Sequence, residues 1–385
     1  MRKIPIVAHP IGLKDLFFIG SLSSRQIKLR EALSKYFNLK HIFLFNSGTS
    51  SFFMLLQALK KLSAKTEVII PAYTASALVV AIKKAGLKPV LCDISLKDFN
   101  IDLNALNSVV SQNTLCVVVA HMFGITSEAV RGLKERYPQV FIVEDCCQAM
   151  GNPQVGRWGD ASFYSFNRGK NLPTYGGGCV ATNNEAIALN IGKELEDIPG
   201  EGIFYSAAIE IKLFALALAM RPFWYGLLSP FIANLKERPT PEDFSVKKYT
   251  DYQAAVALSL LKRIKEVSSL RYHNGMLLIE ALKCIEGFLL PDIPADAEPV
   301  FNRLPIVFKD LTRLEKAEHD LRRAGIEVNR MYYKPLHRLF DLRYKKEDFP
   351  NACYFAEHLL TVPVHSLVTE KDLGKMIEVI KKAMK

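Results

Sequence analysis

A chain of 385 residues, 49% apolar and 23% charged, has the composition of an ordinary folded protein and the length for a large core and two domains. Its net charge of +11 suits nucleic acid, an anionic membrane surface or phosphorylated substrates, but the basic residues are scattered, so nucleic-acid binding is not expected. Seven cysteines, an odd number without metal-ligand spacing, read as free thiols in a reducing cytoplasm, with no metal site.

The opening MRKIPIVAHPIGLKDLFFIG is basic but lacks a continuous apolar run before a small-residue cleavage site, so no secretory signal is expected. Next, HIFLF reads as a strand running into Ser47-Gly48-Thr49 and then an amphipathic helix, SFFMLLQALKKL. Small residues at a helix start leave amides pointing outward. With the hydroxyls of Thr49 and Ser50 they suit either a phosphate or plain N-capping.

From there to about residue 185, short β-branched runs alternate with helical patterns. EVIIPAY, KPVLCDI, LCVVVAHMFG, VFIVEDC, ASFYSF and GCVATN read as buried strands; ASALVVAIKKAG and SEAVRGLKERY read as helices. This predicts an α/β domain with a mainly parallel sheet, whose ligands sit beyond the carboxyl ends of its strands. Glu144 and Asp145 fall at such an end. So do Ser165 and Asn167, followed by Lys170 and the glycines 176–178, which are expected to let the chain pass close to a flat ligand. An amine, an acid and an anion cradle in this order suggest pyridoxal 5'-phosphate, which needs a Schiff-base lysine and a partner for its ring nitrogen.

Residues 204–239 are strongly apolar and aromatic, interrupted by Lys212, Arg221, Pro222 and Pro230. No stretch of the length a membrane span needs is free of charge. Two short helices broken at Arg221-Pro222 fit either a membrane interface or burial against a partner subunit. Beyond about residue 250, YQAAVALSLLKRIKEVSSLRYHNGMLLIEALK is helical and leads to RLPIVFKD (strand), LTRLEKAEHDLRRAG (helix) and EKDLGKMIEVIKKAMK (helix), a small α+β unit. The expected division is a large cofactor domain, 1–245, and a small C-terminal domain, 246–385.

NSGTSS, VIIPAYTASALVVAIKKAGLKPVLCDISLKDFNID, VEDCCQAMG, GDASFYSFNRGKNLPTYGGGCVATNN, YYKPLH and VPVH together resemble, from about residue 20 to the C-terminus, the DegT/StrS-type sugar aminotransferases of the fold-type I pyridoxal-phosphate enzymes. The resemblance implies a large sheet domain sandwiched by helices and a small α+β domain. It implies that Lys170 bonds the cofactor and moves a proton, that Asp145 faces the ring nitrogen, and that Gln148 lies near the ring hydroxyl. Gly48, Thr49, Ser50, Ser165 and Asn167 would complete the cofactor site, with Tyr73 and His337 at the substrate rim. It further implies a keto-sugar acceptor, an amino-acid donor such as glutamate, and a homodimer; family members that dehydrate rather than transaminate lack this lysine. The expected location is cytoplasmic, or peripheral at the inner face of the membrane.

Three positions depart from the family pattern. Ala75 stands where an aromatic commonly stacks on the cofactor. Val246 stands where an asparagine reaches the partner subunit's phosphate, and Lys248 where an arginine belongs, able to supply charge there or to be a plain surface lysine. The segment 204–239 is longer and more apolar than the connection expected.

Overall fold

The computed structural model describes residues 2–8, 11–17, 24–200, 202–233 and 242–385. The end of the apolar segment, 234–239, therefore lies outside the described residues.

Seven strands form the main sheet: β1 (His41–Phe45), β2 (Glu67–Pro71), β3 (Lys88–Cys92), β4 (Thr114–Ala120), β5 (Phe141–Asp145), β6 (Ala161–Ser165) and β7 (Gly178–Thr182). Their order is β1-β7-β6-β5-β4-β2-β3. Strands β3, β2, β4, β5 and β6 run parallel, while β7 is antiparallel to both β6 and β1. β4, β6 and β7 are buried along their whole length, which is why they read as unbroken apolar runs rather than alternating ones.

The helices of this part are α1 (Arg25–Phe37), α2 (Gly48–Lys60), α3 (Ala77–Lys84), α4 (Leu103–Val109), α5 (Leu133–Arg136) and α6 (Glu185–Glu196). The helix expected over SEAVRGLKERY is present only as a 3-10 turn, Glu128–Val130, and the short α5. Gly132, at φ +79°, breaks it between them.

The apolar segment folds as α7 (Ile203–Ala219) and α8 (Pro222–Ala233), broken at Arg221-Pro222 as expected. Ile209, Leu213 and Ala217 pack α7 onto a core shared with α1 and α9 (Asp251–Leu261). The opposite face is also apolar. Phe204, Ile211 and Leu218 are exposed, as are Phe223, Trp224 and Leu227 of α8. Among the described residues, no helix is long and apolar enough to cross a membrane.

The single long helix expected after residue 250 is two, α9 and α10 (Ile264–Leu282), separated at Lys262-Arg263. The rest comprises α11 (Leu311–Arg323), α12 (Pro350–His358), α13 (Glu370–Met384) and a three-stranded antiparallel sheet. That sheet has the order β10-β9-β8, with β8 (Phe288–Leu289), β9 (Leu304–Phe308) and β10 (Leu359–Val362). One apolar core runs continuously from the main sheet, through Phe52, Val118 and Phe163, to Phe301, Phe308 and Met376 around the small sheet.

Candidate active site

The site forms at the carboxyl ends of β5 and β6 and at the start of α2. Asp145, the last residue of β5, is 8% exposed, and one carboxylate oxygen accepts the Cys147 amide at 2.9 Å. That bond fixes the turn and leaves the second oxygen for a ligand. The Cys147 thiol lies within electrostatic reach of both Asp145 and Lys170. Burial, then the carboxylate, pushes the thiol well above its ordinary range while Lys170 pulls the other way, so it stays protonated.

Lys170 follows β6 on a turn in which its amide donates to the Asn167 carbonyl at 3.1 Å. Two asparagines hold the turn: Asn302 donates to the Gly169 carbonyl at 2.7 Å and Asn171 to the Met150 carbonyl at 2.8 Å. Asn302 is itself fixed by the buried Arg271, whose guanidinium donates to the carbonyls of Phe301 (3.3 Å) and Asn302 (3.0 Å). Burial, then the like charge of Arg303, lowers the Arg271 pKa to about 10, still a cation at neutral pH.

The anion cradle is the first turn of α2. Ser47 caps it: its hydroxyl accepts the Ser50 amide at 3.0 Å, and its carbonyl accepts the Ser51 amide. The Gly48 and Thr49 amides begin the helix without an intrahelical acceptor. Ser165 lies against this turn, so close that a Cβ on Gly48 would stand 2.7 Å from the serine Cβ. Ser50 is fully buried, its hydroxyl 2.9 Å from that of Ser47.

Other expected residues are placed as follows. Gln148 is buried and its side-chain oxygen accepts the Phe123 amide at 3.2 Å. Asn167 is exposed and its side-chain oxygen accepts the Arg168 amide at 2.8 Å, so its contacts shape the turn to Lys170. Lys248 bridges by backbone to Phe45 of its own chain. Its neighbours Ser245 and Lys247 pair with Asn46, which puts this stretch beside the α2 cradle.

Two expectations are corrected. Tyr73 is fully buried, ringed by Tyr332 and Phe355, and its hydroxyl donates to the Met331 carbonyl; it is wedged into the core and not at a rim. His337 is turned inward too, 8% exposed, its ring edge-on to Phe349 and 3.3 Å from the Lys346 carbonyl. Burial lowers its pKa, so it is neutral.

The glycine run also has a different reason from the one expected. A Cβ on Gly177 would lie 2.1 Å from Tyr249, and one on Gly178 would lie 2.7 Å from the Gly48 nitrogen. These glycines let β7 pass close to the protein's own chain.

Three residues of this region have no counterpart in the sequence analysis: Cys147 and Tyr332, near Asp145, and Arg303, near Tyr332. Tyr332 lies within electrostatic reach of Asp145 and Cys147, and Arg303 adjoins Tyr332. Tyr332 belongs to YYKPLH, so that motif is the sequence signal for it. Arg303 hydrogen-bonds Asn329 at 3.3 Å and has no carboxylate within 4.0 Å among the described residues.

One buried triad has metal-ligating side chains, His121, Glu144 and Cys146, but its bonds are already made. Glu144 accepts the amides of Gly156, Trp158 and Gly159 at 2.7–2.8 Å and meets His121 at 2.9 Å. It anchors the 156–159 turn.

A family model for the DegT/DnrJ/EryC1/StrS aminotransferases matches residues 21–196 and 244–381. The chain belongs to this family of pyridoxal-phosphate-dependent sugar aminotransferases, and it is an aminotransferase. The match passes over 197–243, the interval that contains the apolar hairpin. The chain is 25% identical to an uncharacterized protein, MJ1066, of Methanocaldococcus jannaschii, over 94% of this chain and 90% of that one. It is 23% identical to the GDP-perosamine synthase of Caulobacter vibrioides, over 94% and 91%. Among solved structures it resembles Helicobacter pylori PseC, an aminotransferase involved in pseudoaminic acid biosynthesis, with TM-score 0.78 and 19% identity over 100% of this chain and 99% of that one. The α/β class with its mainly parallel sheet is thus the fold-type I aminotransferase fold.

Proposed function

We propose that the chain uses pyridoxal 5'-phosphate to move an amino group from an amino acid, L-glutamate the expected donor, to a keto-sugar carried on a nucleotide or a lipid. The product would serve a cell-surface polysaccharide or a related glycan. The observation that carries this reading is that Asp145, Lys170 and the Ser47-capped turn all lie at the carboxyl ends of the parallel strands.

The residues present fit the cofactor. The site holds an amine, an acid with one oxygen uncommitted, and a helix start that a side chain on Gly48 would fill. When bound, the cofactor supplies an electron sink for the α-carbon. Lys170 would hold it through its amine, and that amine would move a proton at the reacting carbon. Asp145, anchored by the Cys147 amide, keeps the ring nitrogen protonated. The α2 amides, Ser50 and Ser165 receive the phosphate, and Gln148 borders the ring. Arg303, half-buried and, among the described residues, free of a carboxylate partner, takes the carboxylate of the donor. Dehydration is disfavoured because Lys170 is present.

A second protomer completes the site, with Lys248 reaching toward the partner's phosphate. The hairpin α7–α8 lies in an anionic membrane interface. It is apolar on both faces, with Lys212 and Arg221 on its exposed side, and this favours a cytoplasmic enzyme held at the inner face.

The test supplies L-glutamate and a panel of nucleotide-linked keto-sugars and measures 2-oxoglutarate and the mass of the sugar product. Amino-sugar formation matched by 2-oxoglutarate supports the reading. Sugar that loses water without 2-oxoglutarate release contradicts it.

A further inference from the structure

Behind the loop that carries Asp145 lies a groove of about 840 Å³ that none of these roles uses. It falls within the size range of small-molecule sites. Its walls come from α1, the 151–157 turn, the α9–α10 junction and residues 298–300. Four cations line it, Lys35, Arg157, Lys262 and Lys265, against one acid, Glu298. Among the described residues none of the four has a carboxylate within ion-pairing distance. Arg263, beside Lys262, is by contrast bridged to Asp15 at 2.6 Å.

A second observation points the same way. Ser268 is 7% exposed, lines the groove, and its hydroxyl has no hydrogen-bond partner among the described residues. A buried hydroxyl without a partner is costly unless something in the groove supplies one. Opposite it the chain is pared to Gly151, at φ +106°, where a Cβ would stand 2.2 Å from the serine oxygen. Two tyrosines, Tyr36 and Tyr272, line the same groove. Burial pushes the Tyr36 phenol up to about 12, with Arg157 close enough to oppose the rise, so the phenol is neutral and a donor.

We propose that this groove is a second ligand site and takes a nucleoside diphosphate, free or joined to a sugar. Unpaired cations in excess of acid call for an anion of several charges. Tyrosines in the wall suit a base, which stacks on aromatic rings. A lone phosphate would leave most of the volume unfilled. The groove is separate from the Lys170 site but shares walls with it: Gly151 follows Met150, which Asn171 holds, and Val300 precedes Asn302, which holds Gly169. The inference does not rest on the aminotransfer reading, and its test is separate.

The experiment is calorimetric titration of the cofactor-loaded full chain with UDP, dTDP and GDP, with uridine and inorganic pyrophosphate as partial ligands and UDP-glucose as the sugar-bearing arm. At least one diphosphate is expected to bind, more weakly as salt rises. The double substitution Arg157→Glu, Lys262→Glu should weaken it by more than about tenfold. Lys170→Ala should leave it unchanged, and the double variant should keep its bound cofactor. Equal binding of UDP-glucose assigns the groove to the sugar-linked form; binding of UDP alone assigns it to the free nucleotide. Arg157→Ala and Lys262→Ala, both at exposed positions, serve if the double variant does not fold. No binding by any of the three nucleotides overturns the proposal. So does binding that the charge reversals leave intact, whatever Lys170→Ala does to it, because the nucleotide would then sit outside this groove.

Discussion

Gly48 at the start of α2 and Ser165 at the end of β6 touch so closely that a methyl group on the glycine would stand 2.7 Å from the serine Cβ. Two elements distant in sequence thereby place helix amides and a hydroxyl around one point. Gly48→Ala is expected to weaken pyridoxal-phosphate retention by more than about tenfold, read by absorbance titration. The control is Gly192→Ala in α6, where the nearest atom to an added Cβ is 4.0 Å away. It should leave retention intact and stabilise the chain by about 0.5–1 kcal/mol.

Glu144 predicts a pH dependence of stability. Burial by itself would raise its pKa. Hydrogen bonds from His121 and from the Gly159 and Gly156 amides outweigh burial and hold it below the ordinary 4.5. A carboxylate whose folded pKa is depressed stabilises the fold above its unfolded pKa and loses that contribution as pH falls through the folded value. Glu144→Gln should cost about 3–5 kcal/mol at pH 7 in urea melts. The gap from wild type should hold down to about pH 4.5 and close below it. A gap that is constant into acid would show that the charge is not what matters.

Tyr73→Phe removes the hydroxyl that caps the Met331 carbonyl in the core. The expected cost is about 1–3 kcal/mol of stability with KM for both substrates unchanged. A raised KM at unchanged stability would restore the substrate-rim role that its burial argues against.

The exposed side of the α7–α8 hairpin predicts membrane recovery. Wild type should float with vesicles containing anionic phospholipid. Substituting serine at Phe204, Ile211 and Trp224 should return it to the soluble fraction, and high salt should weaken what remains. Equal recovery of both proteins would contradict a membrane role, and a shift of the variant from dimer to monomer would assign the face to a partner subunit.

The main sheet was legible because its inner strands are buried on both faces and bounded by turn residues, so VFIV and GCVAT stand out without alternation, while the edge strand HIFLF is only partly buried. Asp145, Ser165 and Lys170 were legible for the same reason: each sits at or just past the carboxyl end of such a run. The break at Gly132 was not read because a single glycine inside a helical pattern signals either tolerance or a stop, and only its φ decides. Tyr73 and His337 were misplaced because loop side chains point where tertiary contacts send them. Here those contacts are the Met331 carbonyl and the 346–353 stretch, more than 250 residues from Tyr73 in the first case and the same loop for His337 in the second. That Arg303 bonds asparagines and, among the described residues, no carboxylate has no signature in sequence at all.

The central claim is that Lys170 and Asp145 form a working aminotransferase site, and a visible absorption spectrum of the purified chain, recorded before and after L-glutamate, tests it most directly. The account predicts a cofactor band that falls on addition of glutamate in wild type and does not respond in Lys170→Ala. No band, even after incubation with pyridoxal phosphate, would contradict it and leave Ala75 and Val246 as marks of a chain that has lost the cofactor.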